Sequence, residues 1–185
     1  MNPTQKLFLD KATAAAQVSG SAFPAMVAAE AALESEWGRS LLALQDNNLF
    51  GVKAHEHPDY GIAKLPTREF EGGTWIEVAA ASWEKYPDWA SCFADRLATL
   101  RRLAPHYPHY SAALLAPDAG TYIREVSQTW STDPAYQCAC GQAFLTAQEV
   151  NAHEPSHGTT PWAIKRVPGL GRALKVLAIY KEYLQ

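Results

Sequence analysis

Cysteine is scarce in this chain. Three occur in 185 residues, one of them isolated, too few and too unevenly spread for a disulfide scaffold. No apolar run approaches the ~18–20 residues needed to cross a bilayer. Neither sign of charge dominates: 16 Lys and Arg against 19 Asp and Glu give a formal charge of -3, which argues against a nucleic-acid binder with a generally basic surface. The opening stretch Met1-Asn2-Pro3-Thr4-Gln5-Lys6-Leu7-Phe8-Leu9-Asp10 lacks the basic-then-apolar layout of a secretion signal. Hydrophobic residues, by contrast, make up 48% and charged residues 19%. That composition can build a substantial core, and the length suits one domain with a small appendage.

The periodicity is mainly helical. Residues 3–18 read as an amphipathic helix with Leu7, Ala14 and Val18 near one face, ended by Gly20. A second, Ala-rich helix opens at Phe23-Pro24, where proline is tolerated in the first turn, and runs to about Ser35. Helical spacing returns at 88–104, 118–129 and 170–184. Between Tyr60 and Tyr86 the period becomes alternating, and Gly72-Gly73 within Glu69–Ile76 predicts the turn of a β-hairpin. The expectation is an α+β, mainly helical fold with one small sheet.

The second helix carries Glu30 and Glu34 at i,i+4, with Trp37 three residues beyond on the same face. A carboxyl beside an indole in a partly dry cleft has a raised pKa and suits a general acid. Alternatively, both are solvated surface glutamates, since glutamate is mostly exposed. Glu36 points about 200° from Glu34 on a helix and is expected to face solvent. Trp75, Trp83, Tyr86 and Trp130 are candidate stacking platforms for a ligand, although aromatics more often serve the core.

Four ordered blocks narrow the choice. They are Ala31-Ala32-Leu33-Glu34-Ser35-Glu36-Trp37-Gly38, Asn47-Asn48-Leu49-Phe50-Gly51-Val52-Lys53, Pro66-Thr67-Arg68-Glu69-Phe70, and Trp130-Ser131-Thr132-Asp133-Pro134-Ala135-Tyr136. Together they closely resemble the peptidoglycan β-N-acetylglucosaminidases of glycoside hydrolase family 73, across roughly residues 5–137 and again from about 168. The resemblance implies a lysozyme-like fold with a cleft between a helical lobe and a small β-hairpin lobe. It makes Glu34 the catalytic acid and Glu69 the second carboxylate. It also implies a saccharide cleft contacted by Trp37, Asn48, Phe50, Trp130, Asp133 and Tyr136. One departure stands out: the family's common Tyr at the head of its last block is Trp130 here, which would pass a phenol's work to another group such as Tyr136.

Residues 138–161 break the helical rhythm. Cys138 and Cys140 precede His153 and His157 with the His-x-x-x-His spacing of a two-Cys, two-His zinc finger. Only one residue separates the cysteines, tighter than usual. A strained Cys138–Cys140 disulfide and inert buried cysteines are the competing readings. The expectation is one structural zinc per chain on these four ligands, whose closed shell leaves no place for catalytic water. The implied layout is a catalytic domain at 1–137, a zinc-binding insert at 138–161, and a helix at 162–185 completing the domain. Residues 158–185 hold Lys165, Arg166, Arg172, Lys175 and Lys181 against Glu182, read as a solvated helix face, with presentation to an anionic cell wall as the alternative.

The functional expectation is a monomeric peptidoglycan hydrolase cutting the β-1,4 bond after N-acetylglucosamine. Its partners are glycan strands, with no nucleic acid and no membrane insertion. With no export signal apparent, an endolysin-like route is expected, from host cytoplasm to cell wall. The alternatives are a muramidase, a lytic transglycosylase on the same fold, and a non-catalytic glycan-binding module.

Overall fold

The computed structural model describes residues 1–71, 74–130 and 170–185. In chain order the elements are α1 (Pro3–Val18), α2 (Pro24–Glu34), α3 (Leu41–Asp46), β1 (Ile62–Glu71), β2 (Thr74–Glu84), α4 (Trp89–Leu103), α5 (Pro108–Leu114), α6 (Ala119–Ser127) and α7 (Leu170–Leu184). Short polar caps start several helices. Asn2 and Gln5 form a reciprocal capping box on α1, and Ser40, Asp88 and Asp118 accept backbone N–H groups at the starts of α3, α4 and α6.

α2 is the centre of the helical lobe. Every residue from Met26 to Ala32 is buried, as expected of a helix enclosed on all sides. Its small alanines let α1 and α7 pack closely against it, while α4 packs on α1, and α6 on α7. The buried side of α1 is Phe8, Leu9, Ala12 and Ala16. That corrects the expected apolar face: Leu7 is 61% exposed and Val18 81%, because packing on α2 selects the Leu9–Ala12–Ala16 row with spacings of three and four.

The hairpin is longer than the Gly-Gly signal alone implies. Its antiparallel register runs from Ile62 opposite Glu84 to Glu71 opposite Thr74, with one slip between Leu65 and Thr67. Pro66 sits at that slip, where a residue without an N–H cannot serve a regular ladder. The base of the hairpin is anchored by Ala63, Ala81 and Trp83, which form a small core of their own. Most of the tip half of β2 is exposed. The described residues therefore form a helical lobe and a two-stranded lobe. Cys138, Cys140, His153 and His157 lie outside them.

Candidate active site

The segment after α3 joins the two lobes. Asn47 closes α3 in the left-handed conformation, φ 53°, and its side chain donates to the carbonyl of Tyr86 at 3.0 Å. Asn48 is buried. Its amide donates to the carbonyls of Val52 (3.0 Å) and Glu84 (2.9 Å), and its oxygen accepts from the Val52 N–H (3.0 Å). These bonds bend residues 48–52 against β2, where Lys53 forms an isolated bridge with Trp83. Asn48 thus shapes the cleft wall from behind and does not line the cleft. Phe50 does line it, with its ring edge-on to Phe93 at 5.2 Å and to Trp130 at 6.3 Å.

Between the lobes lies a cleft of about 580 Å³. Glu34, Phe50, Thr99, Arg102, Tyr110 and Trp130 contribute from the helical side, and Thr67, Arg68, Glu69, Trp75 and Trp83 from the hairpin. Both candidate carboxylates reach this one cleft. Trp75 is exposed, with the Arg68 guanidinium 5.2 Å from its ring centroid, and Lys53 Nζ sits 4.4 Å over Trp83. Tyr86 does not line the cleft. It is buried and donates to Asp95 at 2.7 Å. Asp133 and Tyr136 lie outside the described residues.

Glu34 is the last residue of α2, and its side chain retains 15% exposure. Burial holds its carboxyl above the ordinary glutamate value, although the Arg172 guanidinium pulls the other way. Arg172 Nε donates to Glu34 Oε1 at 2.8 Å. Trp37 is not Glu34's neighbour. The chain leaves the helix through consecutive positive-φ residues Glu36 (54°), Trp37 (62°) and Gly38 (76°), which turns the Trp37 ring onto Phe8 of α1 at 6.1 Å. The expectation of a shared helix face fails because α2 has already ended. Ser35 braces the turn, donating to Ala31 O at 2.6 Å and accepting from Gly38 N at 2.8 Å. Glu36 is exposed.

Glu69 occupies the opposite wall. It lies midway along the outer half of β1, opposite Ile76. Its side chain is 29% exposed and forms an ion pair with Lys53. The cleft thus brings together a desolvated carboxyl with a raised pKa at the end of a helix and a more open, cation-paired carboxylate on a strand.

Beneath Glu34 lies a charge cluster that sequence reasoning missed. Glu30, for which a solvated surface position is one of the two readings above, is fully buried, as are Arg96 and Arg172. Both Glu30 oxygens accept from Arg96 Nη2 at 2.5 Å, and Arg172 Nη2 donates to Glu30 Oε1 at 2.6 Å. Arg96 also donates to Tyr122 Oη at 2.8 Å and lies 4.6 Å over the Trp130 ring. Burial alone would raise the Glu30 carboxyl, but the two guanidiniums more than offset it and hold it below the usual range. Arg172 is therefore no part of a solvated basic face. The one sequence signal for the cluster was a pair of glutamates in an alanine helix with no local counter-charge.

A helical lobe and a hairpin each offer one carboxyl to the cleft between them, a pairing that acid–base cleavage of a glycosidic bond requires. The glucosaminidase family model, described as mannosyl-glycoprotein endo-β-N-acetylglucosaminidase, matches residues 10–146, and the chain belongs to this family. It is 32% identical over 139 residues to the peptidoglycan hydrolase FlgJ of Pseudomonas aeruginosa, covering 72% of this chain and 33% of that protein. It is 31% identical over 140 residues to the exo-glucosaminidase LytG of Bacillus subtilis, covering 71% and 48%. The chain therefore spans between a third and a half of these relatives. The catalytic domain of the autolysin Auto from Listeria monocytogenes shares the fold, with a TM-score of 0.65 at 20% identity over 100% of this chain and 86% of that one.

Proposed function

We propose that this domain hydrolyses peptidoglycan glycan strands at the β-1,4 bond after N-acetylglucosamine, with Glu34 as general acid and Glu69 as the second carboxylate. The observation that carries the reading is Glu34 itself: a carboxyl held above its ordinary pKa, opening into the cleft that Glu69 also lines. In the reaction the Glu34 proton passes to the leaving glycosidic oxygen as the bond from the anomeric carbon breaks. A water oxygen ends on that carbon, and Glu69 activates the water or steadies the oxocarbenium-like state. Trp75, exposed beside the cleft, offers a face for stacking a sugar ring.

Digestion of purified peptidoglycan, followed by identification of the new reducing sugar, tests this. N-acetylglucosamine at that end is the expected product. N-acetylmuramic acid would assign the alternate bond, anhydro-sugar ends would assign a lytic transglycosylase, and binding without products would leave a recognition module. The zinc expected on Cys138, Cys140, His153 and His157 belongs to the same reading as a staple for an insert with little core of its own. Elemental analysis of protein purified without chelators should give one zinc per chain, and none would remove it.

A further inference from the structure

Arg172 is unusual in where its three donor groups go. Nε donates to Glu34, Nη2 to Glu30 and Nη1 to Ser127 Oγ at 2.9 Å. The residue is fully buried and lies on α7, 138 positions from Glu34 in sequence. A long cation could serve as surface solvation or as packing; this one is aimed edge-on at a carboxyl that opens into the cleft. Its planar fork fixes the direction of each bond in a way a lysine ammonium cannot.

From this geometry we infer that Arg172 is a positioning residue, which orients Glu34 and serves as built-in counter-ion for the carboxylate that Glu34 becomes after giving up its proton. The inference rests on the assignment of Glu34 as the acid. Charge counting makes the point. Arg96 and Arg172 with Glu30 carry a net charge of +1, so the buried cluster is balanced only once Glu34 is ionised. With Glu34 protonated, desolvation of the acid is satisfied but one guanidinium charge is left over. With Glu34 ionised, the converse holds. Two opposing terms of this kind keep the proton both held and transferable, which is the requirement for a general acid.

Other charges around Glu34 bear on the same balance. Glu30 from its own helix opposes ionisation, and Arg96 from α4 favours it, whereas Arg172 adds a direct hydrogen bond. Tyr110 from α5 lines the cleft with it, as do Lys53, Arg68, Glu69 and Arg102. Among the described residues, Arg96, Glu30 and Arg172 are the fully buried charges in the bonded chain that ends on the acid, and Arg172 is the one that touches it.

The test is the pH dependence of peptidoglycan cleavage by the full chain and by three variants, each checked for folding by circular dichroism. In Arg172→Met the alkaline limb, where the acid loses its proton, should move up by about one pH unit, and the maximal rate should fall at least tenfold. In Glu30→Gln the same limb should move down. Arg172→Lys keeps the charge but not the fork, so the limb should stay near that of the parent while the rate falls. Folded Arg172→Met and Glu30→Gln variants whose limbs coincide with the parent's would overturn the inference and leave Arg172 a structural residue. Should Arg172→Met fail to fold, the downward shift in Glu30→Gln decides, and its absence is equally fatal. Failure of the underlying assignment looks different: Glu34→Gln would then keep its activity.

Discussion

Glu34 and Glu69 are the same side chain at two walls of one cleft, and their surroundings differ in every respect. Glu34 ends a helix that is buried on all sides, and it touches a guanidinium that solvent never reaches. Glu69 sits on a half-exposed strand of a two-stranded ribbon, beside a lysine that is itself exposed. A carboxyl in the first setting is governed by desolvation, and one in the second by a screened surface charge. Environment, not residue type, therefore sets the two carboxyls apart.

The largest expected effect is on Glu34→Gln, which keeps the shape and removes the transferable proton. Peptidoglycan turnover should fall by about 10²–10⁴, the contribution of general acid catalysis, with the fold retained; near-parental turnover would end the assignment. Arg96→Met comes next, on stability. Removing one partner of a buried ion pair costs about 3–5 kcal/mol, a fall in Tm on the order of 10 °C for a domain of this size. A loss below 1 kcal/mol would mean that the cluster is not dry. Glu69→Gln should slow turnover by roughly 10- to 100-fold, at or below the lower end of the range for acid–base groups. If it slows turnover as much as Glu34→Gln, the contrast between the walls disappears. Lys53→Met, at the exposed pair, should change stability by less than about 1 kcal/mol, and added salt should erase even that.

The same contrast appears in the pH dependence of folding. Glu34 keeps its proton in the folded chain at pH values where the unfolded chain has lost it, so its contribution weakens as pH rises from 4.5 through its folded pKa. Glu30 has the opposite sign, because its guanidinium partners outweigh burial. Its stabilisation is complete above 4.5 and is lost as pH falls through the depressed value. Comparing the acid side of the thermal stability curve in Glu30→Gln with the parent isolates that term. A curve of unchanged shape would mean that Glu30 is not ionised in the folded chain.

Much of this architecture was legible from spacing alone. α2, α4, α6 and α7 lie within a residue or two of the expected segments, because long apolar rows at intervals of three and four have few other uses. The hairpin followed from alternation and a Gly-Gly turn. α3 and α5, of six and seven residues, were not anticipated, since so short a stretch shows barely two turns of any pattern. The charge cluster was illegible for another reason. Glu30 meets Arg96 66 positions away and Arg172 142 positions away, and no local rule pairs residues at that range. The ordered motifs and aromatics pointed to Glu34, Glu69, Phe50, Trp75, Trp83 and Trp130, which share one cleft, whereas the charge cluster beneath Glu34 became visible only through the fold.

The left-handed turn at Glu36–Gly38 has a further consequence. On a continuing helix, the Trp37 side chain, three places after Glu34, would lie beside it. The backbone reverses hand instead, at roughly 1–2 kcal/mol for each residue that bears a Cβ, and Gly38 completes the turn where a methyl group would stand 2.9 Å from the Phe8 ring. The removal of Trp37 from the side of Glu34 is thus built into the backbone when the chain folds, and its cost is carried by the resting protein.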